Sequence, residues 1–257
     1  MGKVHLMADF LQRLRNPGNC LFGTWVKLDS METLEMLALA GFDFIVVDME
    51  HAPHTFDSVY RCIVGAQGFG MSALVRLPDS LGVNVQRVLD SGADGVLVPR
   101  VRSADEARQV MDGMLFSPRG SRGLGITSRA GHWGLKPTAR YLEEGDAAIF
   151  RGVQLEDAGA LRGAGDILAV EGVNAVFAGL GDLALSTGKP ASHPDNQALI
   201  DDLLLAARAL GIPCGTAVGD VAAARRCREQ GFRYVMVSND ASLFAKAAAE
   251  IVKGLRA

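Results

Sequence analysis

Short apolar runs alternate with amphipathic stretches along the whole chain, and the two patterns predict different elements. Apolar runs without strict alternation read as strands buried on both faces, as in a parallel sheet, and segments with a 3.6-residue period read as helices. The run Leu21–Val26 is the first strand. Ser30 follows as an N-cap, and helical periodicity over 33–40 stops at Gly41. A second strand at 42–47 precedes a helix at 55–67. A third, 72–76, is cut off by Pro78, and a helix at 83–91 leads into a fourth, 95–98, halted by Pro99. After a helix at 103–111, the pattern predicts strands at 148–154, 174–178, 213–218 and 234–237. Helices are predicted at 139–144, 157–168, 194–210, 221–230 and 241–255.

Eight strand–helix alternations predict an α/β fold, a single-domain (β/α)8 TIM barrel spanning 1–257, with residues 1–20 as an N-terminal helical extension. A doubly wound sheet is the other arrangement compatible with the order. The barrel is preferred because polar residues recur at several strand ends, not at one switch point. Residues 115–137, rich in Gly, Ser and Arg, are too long for an ordinary connection and are expected to form an active-site loop.

Composition narrows the functional classes. The chain is 49% hydrophobic and 21% charged with a net charge of −3, which fits a globular protein and offers no basic block for nucleic acid. No apolar run reaches the roughly 18 residues of a membrane span, and the N-terminus lacks a signal-peptide core, with Met7 as an alternative start after Met1–Leu6. Cys20, Cys62, Cys214 and Cys227 match no metal-binding spacing and read as core residues of a reducing, cytoplasmic compartment.

The chemistry gathers at the strand ends. Asp48, Glu50 and His51 follow the second strand, and Arg76 ends the third. Gln154, Glu156 and Asp157 end the fifth, and Gly179-Leu180-Gly181-Asp182 follows the sixth. A barrel would turn these groups towards one another around its C-terminal mouth. Glu156 and Asp182 are hard oxygen ligands suited to Mg²⁺ or Mn²⁺, Arg76 offers a planar fork for an anionic oxygen, and His51 with Asp48 resembles a base oriented by a carboxylate. Lys27, just past the first strand, reads the charge of a reaction partner, is an ordinary solvated lysine or, with little in the sequence to support it, forms a Schiff base. The Gly179–Gly181 turn is no dinucleotide fingerprint, since Ala184 stands where the third glycine would fall, and no Walker, His-Glu-x-x-His or Gly-x-Ser-x-Gly motif occurs.

Four ordered motifs resemble the HpcH/HpaI aldolase family: Asp48-Met49-Glu50-His51-Ala52-Pro53, Arg122-Gly123-Leu124-Gly125, Gln154-Leu155-Glu156 and Gly179-Leu180-Gly181-Asp182-Leu183. The likeness runs from Phe22-Gly23-Thr24-Trp25 to the last strand. It implies a metal-dependent aldolase that reversibly cleaves 4-hydroxy-2-oxo acids to pyruvate and an aldehyde through a stabilised enolate. Glu156 and Asp182 would hold the divalent metal (Mg²⁺, Mn²⁺ or Co²⁺), and Arg76 would stabilise the enolate. Gln154, Gly181 and Trp25 would contact the keto acid. His51, oriented by Asp48, would be the acid/base, and Glu50 would support the site from behind. The resemblance also implies a hexamer, a trimer of dimers in which the C-terminal helix crosses to a neighbour and Asp90 reaches an adjacent subunit's site. The apolar stripe Phe244, Ala247, Ala248, Ile251 and Leu255 suits such a crossing or packing on the chain's own barrel. Leu180-Gly181 stands where many relatives carry Pro-Ala. The same metal–enolate chemistry would also serve an oxaloacetate decarboxylase, a carbon–carbon synthase or a CoA-ester lyase. A barrel kept as a sensor or scaffold is the non-enzymatic alternative.

Overall fold

The computed structural model describes residues 10–16, 18–79 and 84–256. The alternative start at Met1–Leu6 and Met7, and the first residue of the helix expected at 83–91, lie outside them. Eight parallel strands close into one barrel in sequence order, β1-β2-β3-β4-β5-β6-β7-β8. They are β1 (Leu21–Val26), β2 (Phe44–Asp48), β3 (Ser72–Arg76), β4 (Gly95–Val98), β5 (Phe150–Leu155), β6 (Ala175–Ala178), β7 (Cys214–Val218) and β8 (Tyr234–Asn239).

Strand parity divides the core in two. Ile45, Val47, Val75, Val96, Val98, Val153, Leu155 and Val176 face outward into the layer between strands and helices. Trp25, Phe44, Val46, Leu74, Leu97, Phe150, Phe177, Tyr234 and Met236 fill the barrel. Glycines make room for the large rings: a Cβ on Gly215 would lie 2.2 Å from the Tyr234 ring, and one on Gly23 2.6 Å from that of Phe44. The first helix, α1 (Phe10–Arg15), adds Phe10 and Leu14 to this interior, and the Phe10 ring sits 5.0 Å from Phe44 and 5.6 Å from Phe150. The expected N-terminal extension therefore contains a short helix whose apolar face belongs to the barrel interior.

Ser30 Oγ accepts the Thr33 amide ahead of α2 (Met31–Leu39), Thr55 and Ser58 form a capping box ahead of α3 (Phe56–Gly68), and α4 runs Val85–Asp90. Ser103 caps α5 (Ala104–Asp112), and α6 spans Thr138–Ala147. Side-chain caps open α2, α3 and α5 but not α4 or α6. The helix expected at 157–168 is broken at Gly163 into α7 (Ala158–Arg162) and α8 (Ala164–Leu168). One helix escapes the sequence reading: α9 (Leu180–Thr187) begins immediately after Gly179, so that Asp182 lies in its first turn. The remaining helices are α10 (Pro194–Ala209), α11 (Val221–Gln230) and α12 (Asp240–Arg256).

Residues 115–137 are tied to the helices beside them. The Arg122 guanidinium stacks on Phe116 at 4.5 Å and donates to Asp90 Oδ1 at 3.1 Å. Arg129 reaches the carbonyls of Ser91 and Gly92 and the side chain of Gln67. Within one chain the segment is thus bound to α4 and the C-terminal end of α3. α12 buries only its first residue, Asp240, and leaves Phe244 74% and Leu255 81% exposed, so the apolar stripe does not pack on its own barrel.

Candidate active site

The inward parity that fills the barrel continues past the strand ends and carries polar groups to the mouth. Asp48 follows Phe44 and Val46, Arg76 follows Leu74, and Gln154 and Glu156 follow Phe150. Asp48 and Arg76 are direct register partners across β2 and β3. The guanidinium grips the carboxylate with two bonds, Nε to Oδ1 at 3.0 Å and Nη2 to Oδ2 at 2.8 Å. Lys27 Nζ adds a third at 2.6 Å, and the amides of Glu50 and His51 each donate to Oδ1 at 3.1 Å. Burial alone would raise the Asp48 pKa, but the bonds and charge of Arg76, followed by Lys27 and the His51 amide, hold it at about 2.

The expectation that Asp48 orients the imidazole of His51 is corrected by this geometry. Asp48 holds the His51 backbone, while its carboxylate belongs to Arg76 and Lys27. The imidazole itself is 59% exposed over the mouth, and its Nε2 lies 3.6 Å from Glu50 Oε2. The nearby second imidazole, His54, bridges Ser58 Oγ at 3.1 Å and the Val26 carbonyl at 3.2 Å, pinning the loop to β1. Lys27 is not an ordinary solvated lysine: besides Asp48, its ammonium donates to the His51 carbonyl at 3.3 Å.

Arg76 is enclosed further. Its Cζ stacks 4.1 Å over the Trp25 ring, and its Nη1 lies 3.2 Å from Glu50 Oε2. Glu50 meets a second guanidinium, that of Arg100, with Nε 3.2 Å from Oε1. Arg100 was missed in the sequence, although an arginine immediately after the strand-ending Pro99 was the available signal. Its backbone is left-handed, with φ +57°, which is uncommon outside glycine and concentrates at functional sites.

Opposite this cationic wall are the carboxylates of β5 and α9. Gln154 donates to Glu156, and Gly179 gives that carboxylate room, since a Cβ there would lie 2.9 Å from Oε2. Burial raises the Glu156 pKa, the Gln154 bond opposes this, and the charges of Asp182 and then Glu50 raise it again. The two predicted ligands therefore sense each other's charge. Among the described residues Gln154 Oε1 is buried without a hydrogen-bond partner, and Glu50 Oε2 makes no well-directed hydrogen bond. An oxygen-rich site with mutually repelling carboxylates and an orphaned amide oxygen fits a hard divalent cation. The described residues hold no cluster of three or more His, Cys, Asp or Glu arranged for a metal. Gly181, at the second position of α9, and the Asp182 side chain are exposed at the mouth.

Similarity to known proteins extends over nearly the whole chain. The family model described as HpcH/HpaI aldolase/citrate lyase matches residues 21–247. A 2-dehydro-3,6-dideoxy-6-sulfogluconate aldolase of Pseudomonas putida is 34% identical, the match covering 91% of this chain and 92% of the relative. A 2-keto-3-deoxy-L-rhamnonate aldolase of Salmonella gallinarum is 33% identical, over 94% of this chain and 91% of the relative. An HpcH/HpaI aldolase/citrate lyase family protein of Burkholderia cenocepacia superposes with a TM-score of 0.89 at 33% identity, covering 97% of this chain and 99% of that one.

Proposed function

The chain belongs to the HpcH/HpaI aldolase/citrate lyase family and is a carbon–carbon lyase, and from that premise we propose that it is a divalent-metal-dependent aldolase cleaving 4-hydroxy-2-oxo acids to pyruvate, or another 2-oxo acid, and an aldehyde. The observation that carries this reading is the opposition of a stacked, doubly paired guanidinium, Arg76, to the carboxylates Glu156 and Asp182 around one barrel mouth. Glu156 and Asp182 would hold the cation, which when bound supplies Lewis acidity towards the 2-oxo acid. Arg76, fixed by Asp48 from one side and Trp25 from the other, stabilises the negative charge that develops on the keto oxygen as the carbon–carbon bond breaks. Gln154 and the α9 N-terminus at Gly181 orient the carboxylate end of the substrate. His51, the exposed base beside Glu50, removes the proton from the 4-hydroxyl during cleavage and returns it during condensation.

The same reading extends to a cytoplasmic homo-oligomer, a hexamer in which α12 crosses to a neighbour. The exposed Phe244, Ile251 and Leu255 support it, and light scattering of the wild type and of a Phe244→Asp variant tests it, with a monomeric wild type as the refuting result.

The activity itself is tested with protein stripped by a chelator and then reloaded with Mn²⁺. Reloaded protein should exchange the methyl protons of pyruvate with D2O in the absence of any aldehyde, and Glu156→Gln or Asp182→Asn should lose Mn²⁺ affinity and exchange together. Exchange by the stripped protein, or none by the reloaded one, refutes the proposal.

A further inference from the structure

Arg76 faces two carboxylates at once, Asp48 at 2.8 and 3.0 Å and Glu50 at 3.2 Å. That trio alone carries a net charge of −1, and a guanidinium so enclosed has little field left for an anionic oxygen. The chain supplies a second cation to each carboxylate. Lys27 Nζ lies 2.6 Å from Asp48, and Arg100 Nε lies 3.2 Å from Glu50. Five groups, Lys27, Asp48, Arg76, Glu50 and Arg100, thus alternate in sign along the ends of β1 to β4, and their sum is +1.

We propose that Lys27 and Arg100 are positioning residues that keep Arg76 electropositive towards the oxygen that gains charge in the reaction. They act through the carboxylates and not on the substrate. The geometry carries the idea in three ways. The Lys27 ammonium is spent within the chain, on Asp48 and on the His51 carbonyl, so it is not left over to read an aldehyde. Arg100 adopts left-handed backbone at the end of β4, with its guanidinium also donating to the Pro78 carbonyl at 3.3 Å, which aims the side chain back at Glu50. Removing either cation would leave four groups summing to zero, and removing both would leave −1 around the guanidinium that must bind an anion. Preorganised charge of this kind matters most where charge develops, so its loss should appear in turnover more than in ground-state binding.

This inference rests on the aldolase reading, and the experiment separates the two. Pyruvate methyl-proton exchange is followed with Mn²⁺-loaded wild type, Lys27→Met, Lys27→Arg, Arg100→Met and the Lys27→Met/Arg100→Met double variant. Calorimetric pyruvate binding counts the competent sites, so that misfolded protein drops out of kcat. Each Met variant should lose about tenfold in kcat, as expected for one unit charge acting through a partly wet mouth, with KM within about twofold of wild type. Lys27→Arg should recover most of the loss, and the double variant should fall by roughly the product of the two. Should Lys27→Met fail to fold, Arg100→Met, whose side chain is half exposed, decides alone. Unchanged kcat, or a raised KM with kcat intact, overturns the proposal while leaving the aldolase reading in place. Absence of exchange in the loaded wild type would instead overturn that reading.

Discussion

Replacing Asp48 with Asn tests how much of the site one carboxylate holds in place. Asp48 is fully buried and accepts five hydrogen bonds, from Lys27 Nζ, Arg76 Nε and Nη2, and the amides of Glu50 and His51. Its pKa lies at about 2, against 3.8 for an ordinary aspartate. Because the folded value lies below the unfolded one, the unfolded chain takes up the proton first as the pH falls. The ionised side chain therefore stabilises the fold fully above about pH 4–5, and that contribution is lost as the pH drops towards 2. The difference between 3.8 and about 2, at about 1.36 kcal/mol per pH unit, amounts to roughly 2.4 kcal/mol at neutral pH and roughly half of that at pH 3. Asn keeps the shape but strands two cations, and breaking a buried pair from one side costs about 3–5 kcal/mol in total. Urea unfolding of wild type and Asp48→Asn between about pH 3 and pH 8 measures both quantities. The gap should be flat from about pH 5 upward and shrink by roughly 1 kcal/mol towards pH 3. A gap below about 1 kcal/mol at neutral pH, or one that widens in acid, refutes the reasoning.

Three further outcomes follow from the packing. Gly215→Ala would set a methyl 2.2 Å from the buried Tyr234 ring, whose hydroxyl donates to the Val176 carbonyl at 2.7 Å, so thermal or urea unfolding should show a loss of about 1–3 kcal/mol. Gly179→Ala would place its Cβ 2.6 Å from that of Glu156 and 2.9 Å from Oε2. It should weaken Mn²⁺ binding and exchange at least about tenfold by displacing the carboxylate, and unaltered binding would count against Glu156 as a ligand. Burial raises the thiol pKa values of all four cysteines, Cys20 to about 11 and Cys62 to about 12. A disulfide reagent at pH 8 should therefore modify the native protein slowly and the denatured chain at once, and a fast native phase would contradict this.

The period of the apolar runs made the barrel legible, and β1, β3 and β4 begin and end where the pattern predicts. Once the sheet closes, parity alone turns Asp48, Arg76, Gln154 and Glu156 inward, so which polar groups face the mouth was readable from their positions in the strands. Their partnerships were not. Asp48 three residues before His51 looks like a catalytic pair, yet a short aspartate before a turn binds the amides just after it, and the register across β2 and β3 delivers the carboxylate to Arg76 instead. The helix α9 stayed hidden because Gly179 and Gly181 argue for a turn and against helix. Leu180 and Leu183 three apart, an acid at the third position and the left-handed Gly188 that ends it were the countersigns. The path of residues 115–137 depends on single long-range contacts, such as Arg122 to Asp90 and Arg129 to Gln67, which no local period encodes.

The chain has two tryptophans, and they stand in opposite settings. Trp133 is exposed on the long loop, whereas Trp25 is wedged between the Phe177 ring, 5.9 Å away, and the Arg76 guanidinium stacked 4.1 Å above it. A cation on the face of an indole perturbs its excited state. In a Trp133→Phe background, emission would arise from Trp25 alone, giving an unlabelled fluorescent gauge that follows the guanidinium in real time as ligands arrive and depart.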